Sequence, residues 1–125
     1  MKYNSNMHEL SVTENILSIA LSHAGQNGAD QVTAINLVIG DFSNLLPDCI
    51  QYYWKIIAEG TICKNAELHF DRRPAIFRCD DCLHEYIIRS DMTGCPGCQS
   101  SHVSLISGNE FWLDSIEITK NQEQK

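Results

Sequence analysis

Between Leu10 and Ala24 the apolar positions follow a helical period: Leu10, Leu17, Leu21 and Ala24 recur at steps of seven, four and three, and Val12, Ile16 and Ile19 widen the stripe. Ser11 and Glu14 have capping-box spacing and Gly25 and Gly28 supply a stop, which places residues before about Leu10 at or beyond the helix start. The pattern then changes. Val32 to Ile39 is rich in β-branched residues, with Ile35, Leu37 and Ile39 on one face and Val38 on the other, and reads as a strand covered on at least one side. Gly40 to Leu46 reads as a loop, Pro47 suits a first helical position, and Ile50, Tyr53, Trp54, Ile57 and Ala58 keep helical spacing as far as Gly60. Ala66, Leu68 and Phe70 alternate with Glu67, His69 and Asp71 as a second strand before Pro74, and Val103 to Ile106 and Phe111 to Ile118 read as strands separated by Gly108 and Asn109.

The order α-β-α-β, a cysteine-bearing segment, then β, predicts an α+β fold: two helices on a small sheet with an inserted zinc-ribbon-like module. The expected division is an α/β domain over 1–73, completed by a returning strand at 109–119, an inserted metal-binding domain at 74–108, and a polar tail at 120–125. A chain of 125 residues can bury one modest core, so the inserted module needs something other than apolar burial to hold it.

That something is legible as Cys79-Asp80-Asp81-Cys82 and Cys95-Pro96-Gly97-Cys98, a C-x₂-C-x₁₂-C-x₂-C arrangement. Each knuckle can curl two sulfurs onto one ion, and an intervening strand pair is expected to bring the knuckles together into the closed tetrahedron that soft thiolates make around Zn²⁺. Redox-active pairs and an iron site with the same ligands are the alternatives. Four protein ligands leave no open position, so the zinc is expected to scaffold and not to catalyse. The segment between the knuckles carries few apolar residues beyond Leu83, Tyr86, Ile87 and Ile88, so the metal is expected to supply much of the folding energy. His84 and His102 are rival ligands by sequence proximity, while Cys49 and Cys63 are expected to be reduced, packed thiols.

Charge narrows the function. Nine Lys and Arg against sixteen Asp and Glu give a net charge of −7, which argues against nucleic-acid binding despite a local group at Arg72, Arg73 and Arg78. Glu9, Glu14 and Asn15 interrupt the apolar run from Ile16 to Leu21 that could imitate a signal peptide, and no run of about 18 apolar residues spans a bilayer. A cytoplasmic protein with no membrane association is the expected setting, and reduced thiols belong there. No nucleophile, base and acid are grouped in the sequence, so no enzymatic activity is expected.

His8 and Glu9 stand side by side near the first helix, where an imidazole, a carboxylate and unpaired backbone nitrogens coexist; Ni²⁺ and Cu²⁺ accept such nitrogen and oxygen sets. From Met7 onward the chain resembles the HypA/HybF family of hydrogenase nickel-insertion accessory proteins. The resemblance rests on Met7-His8-Glu9-Leu10-Ser11-Val12, Ile39-Gly40-Asp41, Gly60-Thr61 through Ala66-Glu67-Leu68, the four cysteines, Ser107-Gly108-Asn109-Glu110 and Ser115-Ile116-Glu117-Ile118, and covers residues 7 to about 118.

The resemblance implies a nickel metallochaperone that binds Ni²⁺ and delivers it during maturation of [NiFe]-hydrogenase, or of urease in some members, with structural zinc in a second domain. His8 becomes the expected nickel ligand and Glu9 its acidic neighbour; Asp41 and Asp48 are both candidates for a further carboxylate and are not separated by the sequence. The implied partners are the GTPase HypB, the hydrogenase large subunit and, in urease-serving members, urease accessory proteins. The family motif normally begins the chain, whereas Met1 to Asn6 precede it here, either through upstream initiation or as a real extension, and the terminal amine is then expected to be displaced from the nickel. The competing expectation is a zinc-ribbon module that docks to a protein partner and has no nickel function.

Overall fold

The computed structural model describes residues 6–87 and 94–120, with side chains from His8 onward. The residues before Asn6, Ile88 and the tail beyond Lys120 lie outside the described part. The fold is α+β, in the order α1 (Asn6–Gln26), β1 (Gln31–Gly40), α2 (Pro47–Ile57), β2 (Glu67–Arg73), β3 (Ile76–Cys79), β4 (Glu85–Ile87), β5 (Val103–Ser107) and β6 (Phe111–Thr119). The strands form two sheets, β2-β1-β6 and β4-β3-β5. The chain separates into two compact units: the described parts of Met1–Leu37, Leu45–Asp71 and Leu113–Lys125, and a second made of Val38–Asn44 and Arg72–Trp112. Among the described residues no helix is long and apolar enough to cross a membrane.

In the first unit α1 packs against α2. The helix starts earlier than the apolar stripe suggested, so Ser11 and Glu14 are interior residues and not a capping box. Its buried face is Glu9, Thr13, Ile16, Ala20 and Ala24, while Leu17 and Leu21 are only half-buried and Ile19 is exposed. Steps of four, three, four and four set this line through small and polar residues, letting another element approach closely. The C-terminus is a Schellman turn: Ala29 N–H donates to Ala24 O at 3.0 Å and Gly28 N–H to Gly25 O at 3.2 Å, with Gly28 at φ 65°. Pro47 does open α2, whose buried residues are Ile50 and Trp54.

Two hydrogen bonds fix how β1 meets each neighbour. Asp30 N–H reaches Thr119 O and Gly40 N–H reaches Glu110 O, a sequence reversal that makes β6 antiparallel to β1. Val32 N–H reaches Ile62 O and Asp41 N–H reaches Arg73 O, both advancing together, so β2 runs parallel to β1 with α2 as the crossover. The solvent-facing side of this sheet is polar: the Asn36 amide donates to Ser115 Oγ at 3.0 Å, and His69 Nδ1 lies 3.1 Å from Asn36 Oδ1.

The second unit is built on β3, which pairs antiparallel with both β4 and β5. Among the described residues one strand, β4, lies between the knuckles, and its partner β3 precedes the first knuckle and ends on Cys79 itself. The core is small: Ala75, Phe77, Cys79, Tyr86 and Cys95, flanked by Val103 and Leu105. Leu83 and Ile87, two of the few apolar residues that the sequence offers between the knuckles, are 68% and 55% exposed. Gly40 and Gly108 explain two of the motifs that carried the resemblance. A Cβ on Gly40 would lie 2.1 Å from the Gly108 carbonyl oxygen, and one on Gly108, at φ 111°, would lie 2.4 Å from Ala75 Cα. Only glycine permits that approach and that backbone conformation.

Candidate metal centres

Cys79 ends β3, and the chain turns at once: Leu83 N–H donates to Cys79 O at 2.8 Å, with Leu83 at φ 67°. The second knuckle repeats this, Gln99 N–H donating to Cys95 O at 2.6 Å with Gln99 at φ 64°. Cys79 N–H donates to His84 O and Cys95 N–H to Ser100 O, five residues on in each case, so the two knuckles are the same turn used twice. Backbone N–H groups also point at sulfur, Cys82 N at 3.4 Å from Cys79 Sγ and Gly97 N at 3.3 Å from Cys95 Sγ.

The outcome is a cluster in which the sulfurs of Cys79, Cys82, Cys95 and Cys98 all lie within 4.8 Å of one another. Cys79 to Cys98 is 3.5 Å and Cys82 to Cys95 is 3.6 Å, too far for a disulfide, and all six cysteines are free. Four sulfurs about 2.3 Å from a central Zn²⁺ in a tetrahedron stand about 3.8 Å apart, so the donor set fits that ion in chemistry and in spacing.

The four thiols differ in how readily they give up a proton. Burial works to raise the Cys95 thiol, but N–H donors from Cys98 and Gly97 and the neighbouring thiols bring it down to about 6. Cys98 is favoured as thiolate by the Ser100 N–H, yet the Cys79 contact, burial and the other thiols push it up to about 12. The four thiols titrate as a group, and a cation that binds them must displace their remaining protons.

His84 and His102 are not in the sulfur cluster. The His84 ring stacks on Tyr86 with centroids 6.2 Å apart. His102 Nδ1 lies 3.3 Å from Asp81 Oδ2, which also accepts the Ser100 hydroxyl at 2.5 Å. Those bonds, Ser100 first, hold the Asp81 carboxyl below the usual carboxylate range. Asp80 meanwhile accepts from the Ser104 hydroxyl at 2.9 Å, so both residues between the first two cysteines grip the segment after the second knuckle.

The other candidate centre lies in the first unit. His8 and Glu9 are inside α1, not ahead of it, and they part company: His8 is exposed, Glu9 is 0% exposed. His8 falls in the first helical turn, where backbone N–H groups lack intrahelical acceptors. Glu9 Oε2 accepts the Leu46 N–H at 2.9 Å, and Leu46 is the N-cap of α2, which has no side-chain cap of its own. The carboxylate therefore closes the positive end of α2 from a different helix. Its other oxygen, Oε1, is buried with no hydrogen-bond partner among the described residues. The Thr13 hydroxyl donates to the Glu9 carbonyl one turn back.

Sequence reasoning gave Glu9 only as the acidic neighbour of the imidazole, with no sign of this burial; the polar residues at 9 and 13, one turn apart and in phase with Ile16 and Ala20, were the available signal. Glu9→Ala is expected to cost about 2 kcal/mol, because it strands a helix N-terminal N–H and leaves a cavity. Thermal unfolding of the zinc-loaded variant measures this, and a melting temperature equal to wild type would show that the cap contributes nothing. Asp41 and Asp48 also separate. Asp41 belongs to the second unit and pairs with Arg72 at 3.1 Å, whereas Asp48 sits in the first turn of α2, beside the end that Glu9 closes. Cys63 is fully buried, and burial pushes its thiol up against the lowering effect of Thr61, while Cys49 is half-buried on α2.

The sequence profile of one family, described as "Hydrogenase/urease nickel incorporation, metallochaperone, hypA", matches residues 7–118. The chain belongs to the HypA family. Among its relatives, a "Hydrogenase maturation factor HypA" from Dehalococcoides mccartyi is 39% identical over 112 residues, covering 90% of this chain and 94% of the relative. The protein of the same name from Moorella thermoacetica is 33% identical over 111 residues, covering 89% and 98%. Among solved structures, the Ni metallochaperone HypA from Helicobacter pylori aligns with a TM-score of 0.58 at 26% identity, covering 90% of this chain and 97% of that one. A second solution structure of a HypA protein aligns with a TM-score of 0.63 at 28% identity, covering 90% and 96%. The HypA match spans both the segment that carries His8 and the segment that carries the cysteines.

Proposed function

We propose that this HypA-family chain is a nickel metallochaperone for [NiFe]-hydrogenase maturation, taking Ni²⁺ at His8 and holding a structural Zn²⁺ on Cys79, Cys82, Cys95 and Cys98. The observation that carries the nickel reading is the exposed His8 in the first turn of α1, with the rigidly held Glu9 beside it. An exposed imidazole can take up an ion and release it, and first-turn backbone nitrogens lie within chelating reach of the same ion. Glu9 serves by fixing the end of α1 against α2 and keeping one buried oxygen unpaired on the neighbouring residue. A cargo site needs this openness, whereas the sulfur cluster, with no position left for a fifth partner, suits a permanent ion.

The same contrast argues against turnover chemistry: neither centre gathers a nucleophile with a base and an oriented acid. The protein acts within the hydrogenase maturation machinery, with HypB GTPase and the hydrogenase large subunit as its partners and the cytoplasm as its compartment. Where a urease is also matured, urease accessory proteins are the corresponding partners.

Protons test the ligand chemistry. A ligating imidazole must be neutral and a ligating amide nitrogen must lose its hydrogen, so nickel affinity is expected to fall steeply as pH drops through the histidine range, about 6.5. Isothermal titration of zinc-loaded protein from about pH 8 to about pH 5.5 follows the change, and a flat profile would exclude both nitrogen ligands.

A further inference from the structure

The four sulfurs come from two knuckles that twelve residues separate, so the turn that shapes each knuckle does not tie it to the other. Cys82 and Cys98 are the exposed sulfurs, Cys79 and Cys95 the buried ones, one of each per knuckle. A competing ligand can therefore reach the outer side of an ion held there, but the ion leaves only when the knuckles part. The backbone ladder joins the first knuckle to the chain just after the second: Cys79 stands opposite Val103, and Asp80 N–H donates to His102 O at 2.8 Å.

Side chains that span the gap run in one direction. Asp81 Oδ2 accepts the Ser100 hydroxyl at 2.5 Å and Asp80 Oδ1 the Ser104 hydroxyl at 2.9 Å, whereas Pro96 and Gly97, which hold the matching places in the second knuckle, have no polar side chain to return. Ser100 is placed to transmit its bond. His102 N–H donates to the Ser100 hydroxyl oxygen at 3.0 Å, which leaves the hydroxyl hydrogen for Asp81. The Ser100 carbonyl accepts the Cys95 N–H at 3.0 Å, closing the turn that carries a buried sulfur. A Cβ on Gly94 would lie 2.8 Å from that carbonyl oxygen, so the chain entering the knuckle also passes close against Ser100.

We propose that Asp81 is a positioning residue that clasps the second knuckle to the first through Ser100 and thereby sets how slowly the zinc leaves. It acts through Ser100 on the Cys95 turn, by a charge-assisted hydrogen bond, the stronger kind. Groups that hold a metal's ligands in place cost about 10- to 100-fold in metal affinity when removed, and here the loss falls on the step in which the knuckles separate. The inference rests on the zinc reading above, and it gives that reading a kinetic side: a chain that passes on one metal as cargo keeps the other by a tie between its two knuckles.

Zinc-loaded wild type, Asp81→Ala, Ser100→Ala, the double variant and Asp81→Asn are brought to known zinc content and mixed with saturating 4-(2-pyridylazo)resorcinol, whose absorbance follows zinc release. Each single alanine variant is expected to hold one zinc per chain and to release it about tenfold faster than wild type. The double variant is expected to release it no faster than Asp81→Ala, because both changes break the same bond. Asp81→Asn separates charge from hydrogen bonding: its amide oxygen still accepts from Ser100 as a neutral group, so its rate is expected between those of wild type and Asp81→Ala. Alanine variants that release zinc at the wild-type rate overturn the proposal, as do single effects that multiply in the double variant. A single variant that takes up no zinc overturns it too, since the pair would then be a condition of folding and not of retention. A wild type that holds no zinc would overturn the zinc reading and this inference with it.

Discussion

Cys95→Ala is expected to abolish zinc retention and to unfold the second unit, leaving β3, β4 and β5 without protected amides. Three sulfurs remain, but the lost one is buried, and against that burial N–H donors of its own knuckle hold its thiol down to about 6. The apolar contribution cannot compensate: among the described residues the buried core around the cluster offers Phe77 and Tyr86 as its large side chains, the two rings 6.2 Å apart, with Val103 and Leu105 at its margin. Burying a few such groups stabilises by about 2–3 kcal/mol each, whereas structural zinc in small modules contributes on the order of 10 kcal/mol at neutral pH. Val32, Ala34, Ile35, Leu37, Ile50 and Trp54 are buried in the first unit independently of the cluster, so the helical signal should persist. Zinc stoichiometry by metal analysis and amide exchange read together check this. One zinc per chain with a protected β3 in the variant would mean that the four cysteines are not the ligand set.

Much of this was readable in the sequence because the signals are periodic or chemically specific. Pro47 at the head of α2, the alternation through Glu67 to Asp71, and the paired Cys-x-x-Cys spacing each depend on a local rule, and the described structure follows those rules. What escaped the reading depends on long-range geometry. The buried line of α1 runs through Glu9 and Thr13 because a carboxylate can be buried when a helix N-terminus meets it, and that N-terminus is 37 residues away in sequence. The position of β3 was missed because Ile76 to Cys79 is a four-residue strand whose last residue is a cysteine, too short for alternation to show. The motifs around Gly40 and Gly108 were visible as resemblance only; their physical cause, two backbones too close for any Cβ, appears once both are placed.

The division of labour between an open histidine and a closed sulfur cluster is the central claim, and His8→Ala bears on it most directly. Zinc-loaded wild type is expected to bind one equivalent of Ni²⁺ that the variant does not bind. The side chain is exposed, so the thermal stability and zinc content of the variant should equal those of wild type. Removing a principal ligand from an open site with few others is expected to weaken binding by about 100-fold or more, consistent with a loss of about 3 kcal/mol or more. The decisive measurement is therefore a calorimetric Ni²⁺ titration of both proteins, each with zinc content determined beforehand. Loss of the nickel equivalent at unchanged zinc is the predicted result; nickel binding that survives His8→Ala unchanged would contradict the account and favour a protein-docking module.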